Sequence, residues 1–282
     1  MKSFNKKAAP ERLAILKDLQ ALPLRKKIDL SISEFKKLDN DEKILLMFSY
    51  GKDSWVIKYL FDEMGQEVSA LYVETGIEVD QIKKADFVHH RKTSENIEEI
   101  WEERNCFPIF SKMSSPKYKR KHLGIRVSSG LCCYHIKEKP AVKFSREIKA
   151  DVVVWGNKAC DSHRRKFHFV DYGFSVNRKT PTIRGTQFFP LQHWLDEDVY
   201  AYLKSKNHTI NRTKLELGCK YCATDFTKRN NNLQGLLKRD PDDFKRLMRT
   251  GYGAQICQIR ELDFSKIEII LEDCPGILAK YR

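Results

Sequence analysis

Phe48-Ser49-Tyr50-Gly51-Lys52-Asp53-Ser54 is the stretch on which the fold of this chain turns. It follows the apolar run Ile44-Leu45-Leu46-Met47, which has the unbroken hydrophobicity of a strand buried in a parallel sheet. It precedes Trp55-Val56-Ile57-Lys58-Tyr59-Leu60-Phe61, whose apolar residues recur at helical spacing. A strand, a small polar loop with one glycine and then a helix can hold a phosphate on backbone N–H groups and on the positive end of the helix dipole. Gly51 lets the backbone approach an anion closely, Lys52 adds a point charge, and Ser49 and Ser54 supply hydroxyls. The loop is not a Walker A loop, because the first glycine and the four-residue spacer before Gly-Lys are missing. Asp53 has two readings, as a Mg²⁺ ligand beside the phosphates or as the N-cap of the following helix.

Working outward, residues 9–40 read as polar helix, with Leu13, Ile15, Leu16, Leu19 and Leu22 on an amphipathic face that caps the core. A second strand, Val68-Ser69-Ala70-Leu71-Tyr72-Val73, ends at Glu74-Thr75-Gly76. Residues 78–104 are charged and helical in spacing, and a short third strand is expected at Phe107-Pro108-Ile109-Phe110. Residues 111–130 read as a basic surface loop. A helix carrying Cys132 and Cys133 leads into a strand at Val152-Val153-Val154-Trp155. Strands alternating with helices predict an α/β fold with a doubly wound, mostly parallel sheet. Ligands of such sheets bind beyond the carboxyl ends of the strands, where Ser49–Ser54, Glu74–Gly76 and the segment from Gly156 all fall. From about residue 186 the pattern changes: Phe188-Phe189-Pro190-Leu191 leads to Trp194 and a helix starting near Asp196, and a tail strand is expected at 267–271. The domains expected are a helical cap over 1–40, the sheet domain over 41–226, and a small basic C-terminal extension over 227–282.

The chain has 282 residues, 41% hydrophobic and 11% aromatic, enough to bury a substantial core and too apolar for a disordered chain. No apolar run approaches a membrane span, and the first residues lack the apolar centre of a signal peptide. A cytoplasmic protein without membrane attachment is expected. The net charge of +14 favours anionic partners such as nucleotides or a nucleic-acid backbone. Lys117, Lys119, Arg120, Lys121, Lys228, Arg229, Lys238, Arg239, Lys245, Arg246 and Arg249 are the basic residues for such contacts, and each also suits an ordinary solvated surface.

Eight cysteines in a cytoplasmic chain do not suggest a disulfide framework. Cys132-Cys133 and Cys219-x-x-Cys222 supply four thiolates, the number a tetrahedral zinc or an iron–sulfur cluster requires. Adjacent cysteines diverge and are awkward on one zinc, whereas a [4Fe–4S] cubane spreads its ligands over several irons. The cluster is therefore preferred, with zinc as the alternative; either of the adjacent pair also suits a buried small hydrophobe.

These motifs together resemble the PP-loop superfamily, and within it the iron–sulfur adenylyl-sulfate (APS) and phosphoadenylyl-sulfate (PAPS) reductase family. Ser49-Tyr50-Gly51-Lys52-Asp53-Ser54 is similar to the PP-loop itself, and Glu74-Thr75-Gly76 to the Asp-Thr-Gly that ends the family's second strand. Cys132-Cys133-Tyr134-His135-Ile136-Lys137-Glu138-Lys139-Pro140 resembles Cys-Cys-x-x-Arg-Lys-x-x-Pro, with Ile136 in place of the arginine, and Cys219 and Cys222 match the second cysteine pair. Gly156 through Arg165 resembles Gly-x-Arg-x-x-Glu-Ser-x-x-Arg, with Lys158 for the first arginine and Asp161 for the glutamate. Pro190-Leu191-x-x-Trp194-x-x-x-Asp198-Val199-x-x-Tyr202 resembles a further family segment, though Trp194 and Tyr202 taken singly read as core.

The resemblance implies an adenine nucleotide α-hydrolase-like, Rossmann-like sheet. It implies ATP, or APS or PAPS, bound with Mg²⁺ by Ser49, Gly51, Lys52, Asp53, Ser54, Glu74, Thr75, Gly76, Gly156, Asp161, Ser162 and Arg165. It further implies a [4Fe–4S] cluster on Cys132, Cys133, Cys219 and Cys222. Lys52, Asp53, Arg165 and Cys274 are the catalytic candidates. The reductases end in a mobile Glu-Cys-Gly-x-His tail, and this chain has Glu272-Asp273-Cys274-Pro275-Gly276-Ile277 instead. The proline, the missing histidine and two acidic neighbours that would raise the thiol pKa do not favour a nucleophile there. Cys274 remains a candidate sulfur carrier, with Cys160 and Cys257 as further ones, while Cys106 reads as structural.

The intact loop resembles that of relatives that split ATP between the α and β phosphates, namely tRNA thiolation enzymes and the ATP pyrophosphatases of DNA phosphorothioation. The expected activity is adenylating sulfur insertion into a nucleic acid, DNA or tRNA, with a sulfur donor such as a cysteine desulfurase. The alternative is an APS or PAPS reductase that releases sulfite with thioredoxin. A homodimer is among the expected assemblies.

Overall fold

The computed structural model describes residues 9–38, 41–76, 84–96, 99, 134–177, 185–209 and 240–249. The chain divides into two compact units, one of Met1–Val73, Gln81–Arg91 and Lys139–Lys214, the other of Glu74–Asp80, Lys92–Glu138 and Leu215–Arg282. Helices α1 (Ala9–Ala21) and α2 (Leu24–Phe35) lead to strand β1 (Ile44–Met47), helix α3 (Lys52–Glu63), and strands β2 (Ser69–Glu74) and β3 (Val88–Lys92). A π-helical turn at Tyr134–Glu138 runs into α4 (Lys139–Glu147) and β4 (Val152–Val154). A 3₁₀ turn at Ala159–Asp161, α5 (His163–Tyr172), β5 (Ser175–Asn177), β6 (Thr186–Phe188), α6 (Asp196–Ser205) and α7 (Pro241–Met248) follow.

The six strands form one sheet in the order β3-β2-β1-β4-β6-β5. β1 is parallel to β2, with Leu46 opposite Ala70, and parallel to β4, with Leu46 opposite Val154. β4 is parallel to β6, and β5 runs antiparallel to β6. Successive side chains of a strand point to opposite faces, so β1 and β4, which have helices on both sides, need apolar residues at every position. Ile44, Leu46, Ala70, Val152 and Val154 face a core shared with α2, α3 and α6, which contribute Ile28, Phe35, Val56, Leu60, Phe61, Val199 and Leu203. Leu45, Leu71 and Val153 face the other way, onto Ala141, Val142 and Phe144 of α4. Helices thus cover both faces, as the doubly wound reading requires.

Trp194 and Tyr202 are buried in the first core, in accord with their sequence reading. Trp194 donates its indole N–H to Ser31 Oγ at 3.0 Å, and Ser31 donates to the carbonyl of Pro190 at 3.0 Å, tying α2 to the chain that precedes α6. Lys27, 2% exposed, pairs with Asp198 Oδ2 at 2.5 Å, and the same oxygen accepts from the Leu195 N–H at 2.7 Å. The start of α6 is therefore pinned from α2. The second unit is described in fewer places: Thr93 N donates to the Glu74 carbonyl at 2.8 Å, His135 hydrogen-bonds the Glu95 carboxylate, and α7 opens with Asp243 N on Asp240 Oδ1 at 3.1 Å.

Several expectations are corrected. The stretch 78–104 was expected to be helical, yet Val88–Lys92 is the edge strand β3. Of its side chains only Val88 is buried, so the edge position leaves almost no apolar alternation to read. β5 and β6 are three residues each, too short for any periodicity to appear. On α1, Leu16 is buried against Ala159 and Phe169 and Leu19 packs beside them, while Ile15 is exposed. The strands expected at 107–110 and 267–271 lie outside the described residues.

Candidate functional site

The chain passes from β1 to β2 on one side, and β4 enters the sheet on the other side of β1. The carboxyl ends of β1 and β4 therefore flank a topological switch point, where loops leaving in opposite directions open a crevice. The loop after β1 carries Ser49 to Lys52, and the segment after β4 carries Gly156 to Arg165.

The first loop is built from its own polar atoms. Gly51 is the N-cap of α3, with extended φ and ψ of −79° and 162°. This corrects the cap reading of Asp53, which sits in the first turn of the helix. Ser54 is buried and donates to the Gly51 carbonyl at 2.8 Å; Ser49 Oγ accepts from Gly51 N at 3.3 Å. Both hydroxyls thus brace the turn. Tyr50 takes the left-handed region, with φ 58°, which a residue with a Cβ adopts only under constraint. The constraint is visible in its ring, which packs edge-on against Phe48 and Tyr72. Its hydroxyl meets His90 Nε2 at 2.7 Å and accepts from the Ala85 N–H at 3.0 Å.

The second loop comes up against this turn. A Cβ on Gly156 would stand 3.1 Å from Asp53 Cβ and 3.3 Å from the Asp53 carbonyl carbon, so a glycine is what allows the approach. Lys158 is fully buried, and its Nζ lies 2.6 Å from Asp53 Oδ1, 2.9 Å from Asp161 Oδ1 and 3.4 Å from Asp196 Oδ1. Lys52 Nζ binds Asp53 Oδ1 at 3.0 Å and Asp196 Oδ1 at 2.7 Å. Arg165 Nη1 reaches Asp161 Oδ2 at 2.5 Å from a half-exposed side chain. Ser162 caps α5, its Oγ accepting from Arg165 N at 3.3 Å.

Burial opposes the charge on Lys158, but Asp53 and Asp161 outweigh it and hold the ammonium above the ordinary lysine range. Burial likewise opposes ionisation of Asp161 and Asp196, and there Lys158 and Lys52 outweigh it, keeping both carboxyls below the ordinary range. Lys158 is therefore held charged beside ionised Asp161 and Asp196 at neutral pH. Cys160 borders this group and donates to the Trp194 carbonyl at 3.4 Å. Burial, helped by Asp161 and Asp196 and opposed by Lys158, raises its thiol pKa, which disfavours a thiolate there.

Of the residues singled out from sequence, Ser49, Gly51, Lys52, Asp53, Ser54, Gly156, Asp161, Ser162 and Arg165 lie in the two connections after β1 and β4 and in the first turns of the helices that follow them. Glu74, Thr75 and Gly76 belong to the second unit: Glu74 ends β2, Thr75 is buried, and Gly76 has φ 76°. Cys132, Cys133, Cys219, Cys222 and Cys274 lie outside the described residues, as do Cys106, Cys257 and the basic residues from Lys117 to Lys121 and from Lys228 to Arg239. Asp196 was read only as a helix start, and sequence reasoning missed its contacts with Lys52 and Lys158. The one local signal was a carboxylate at the first turn of the helix after Trp194. Among the described residues, no group of three or more His, Cys, Asp or Glu side chains is arranged to hold a metal ion, and no helix is long and apolar enough to cross a membrane.

Residues 43–215 match the family model of the phosphoadenosine phosphosulfate reductase domain. The chain is similar to a tRNA-cytidine(32) 2-sulfurtransferase of Hahella chejuensis, 21% identical over 87% of this chain and 86% of that one. It is also similar to adenosine 5'-phosphosulfate reductase 2 of Bacillus subtilis, 23% identical over 69% of this chain and 78% of that one. Among solved structures, the U34-tRNA thiolase NcsA of Methanococcus maripaludis with its [4Fe-4S] cluster aligns with a TM-score of 0.45 and 17% identity, over 83% of this chain and 80% of that one.

Proposed function

This chain belongs to the phosphoadenosine phosphosulfate reductase domain family, and on that premise we propose that it is an ATP-dependent tRNA sulfurtransferase. The observation that carries the nucleotide assignment is Lys52, held by Asp53 and Asp196 at the N-terminus of α3 beyond the carboxyl end of β1. The first N–H groups of a helix have no intrahelical acceptor, and together with the helix dipole they favour an anion. A phosphate arriving there competes for Lys52 against its two carboxylates, which then become available to Mg²⁺ carried in with the nucleotide. The acceptor is argued from the sulfurtransferase relatives, two of which share 21% and 20% identity with most of this chain, and from the net charge of +14.

In this reading a carbonyl oxygen of a tRNA base attacks the α phosphorus of ATP and pyrophosphate leaves. Lys52 and the start of α3 offset the charge that builds on the phosphates. A sulfur nucleophile then displaces AMP, which carries the original oxygen away. Cys132, Cys133, Cys219 and Cys222 are the residues that would hold a [4Fe–4S] cluster; their four thiol donors suit its chemistry. The cluster would supply a site for the incoming sulfur, delivered by a donor such as a cysteine desulfurase, with Cys274 as a candidate carrier.

A second reading, an APS or PAPS reductase, is favoured by the similarity to the Bacillus subtilis enzyme. The two separate in parallel anaerobic incubations of the purified chain. AMP and pyrophosphate formed from ATP–Mg²⁺, with 2-thiolated nucleoside appearing in tRNA, is the expected result. Sulfite from APS or PAPS with reduced thioredoxin, and no tRNA-dependent AMP, would overturn it in favour of the reductase.

A further inference from the structure

We propose that Lys158 is a built-in counter-ion of this site, a positioning residue whose ammonium holds the carboxylates of Asp53, Asp161 and Asp196 together, leaving Lys52 as the cation that exchanges a carboxylate for a phosphate. The inference deepens the nucleotide-binding reading above and rests on it only for the role of Lys52.

The three carboxylates come from separate segments: Asp53 from the first turn of α3, Asp161 from the 3₁₀ turn after β4, and Asp196 from the first residue of α6. Lys158 Nζ is the atom common to all three, at 2.6, 2.9 and 3.4 Å. Its backbone is fastened as well, since Lys158 N donates to Asp161 Oδ2 at 2.9 Å and Ala159 N donates to the Gln192 carbonyl at 3.0 Å. An ammonium has three protons to donate, and here three acceptors surround it in a place with no access to water. A buried cation so committed has no route to a ligand in the crevice without leaving its partners, and breaking such a set is costly.

The charges explain why the site needs it. By formal charge, Asp53, Asp161 and Asp196 balance Lys52, Lys158 and Arg165, so the group is formally neutral before any nucleotide arrives. Without Lys158 it would be net negative and would repel a phosphate, unless a second cation took the same place. Lys52 differs from Lys158 in two respects: its side chain is 9% exposed, and it bonds only Asp53 and Asp196 among the three. The two lysines thus divide the work, with Lys158 fixed and Lys52 exchangeable.

The test uses the full chain with Lys158→Ala and the double variant Lys158→Ala/Asp161→Asn, which restores neutrality. ATP affinity, Mn²⁺ binding without nucleotide by electron paramagnetic resonance, and thermal midpoint are read on each. The single variant is expected to bind ATP about tenfold or more weakly and to take up one Mn²⁺ beyond any bound by the unmodified chain. The double variant should lose that Mn²⁺ and bind ATP more tightly than the single variant. If the single variant does not fold, recovery of folding in the double variant supports charge balance as the role of Lys158. A folded single variant with no added Mn²⁺, a double variant as weak for ATP as the single one, or two variants that both fail to fold would each overturn the proposal. Should the unmodified chain bind no ATP, the nucleotide reading fails, while the Mn²⁺ and folding results still decide the role of Lys158.

Discussion

Replacing Gly156 with alanine tests whether the close approach of the two loops serves the site or merely the packing. The new methyl carbon would lie 3.1 Å from Asp53 Cβ, 3.3 Å from the Asp53 carbonyl carbon and 3.5 Å from Ser54 N. Ordinary carbon contacts begin near 3.4 Å, so the first turn of α3 must move by a few tenths of an ångström. That turn cannot yield locally, because Ser54 N and Trp55 N both bond the Gly51 carbonyl, at 3.1 and 3.2 Å. Overpacking of this kind costs about 1–3 kcal/mol. A loss of about 2 kcal/mol lowers the melting midpoint by roughly 4–8 °C in a chain of about this size. Because the displaced residues are Asp53 and its neighbour Lys52, ATP affinity should fall by about tenfold or more. Gly185→Ala is the control. There φ is 109° and the added carbon would meet the Asp151 carbonyl oxygen at 2.3 Å, at the start of β6 and away from the two loops. It should cost more stability yet leave ATP affinity as it was in whatever fraction folds. Scanning fluorimetry and equilibrium ATP titration at a temperature where all three chains are folded supply the two numbers. Unchanged affinity in Gly156→Ala, or an equal loss in the control, would refute the reasoning.

Three other outcomes are expected. Burial holds the His193 imidazole down at about 4 against an ordinary 6.5, so between those values the unfolded chain binds a proton that the folded chain refuses. Stability should therefore fall as pH is lowered through that window, by about 3 kcal/mol in all, and the urea midpoint of His193→Gln should lose most of that slope; an identical slope in both chains would contradict it. Lys27→Met leaves the part-buried Asp198 carboxylate without its ammonium partner, and should cost about 3 kcal/mol by urea unfolding; a loss below about 1 kcal/mol would show that the pair does not pin α6. Cys219→Ala, measured by iron content and visible absorption after anaerobic purification, should lose the cluster while its far-ultraviolet circular dichroism stays near that of the unmodified chain. Retained iron would remove Cys219 from the ligand set.

Sequence alone determined the central strands, the loop and the class of the fold. Ile44–Met47 and Val152–Val154 are apolar at every position because helices cover both faces of the sheet, and that demand is written residue by residue. Gly51-Lys52 after such a strand is equally local, since the strand–loop–helix turn is made within a few consecutive residues. Tertiary structure alone decided what depends on distant partners. β3 lies at the edge and buries only Val88 among its side chains, so its sequence looked helical. Asp196 looked like a helix start until folding set it 2.7 Å from Lys52. Lys158 read as a replacement for the first arginine of a family motif, with nothing in its spacing to show burial. Only the convergence of α3, the turn after β4 and α6 at the switch point makes it a buried charge among three carboxylates, because Coulomb attraction of that strength requires contact and exclusion of water, which no linear spacing encodes.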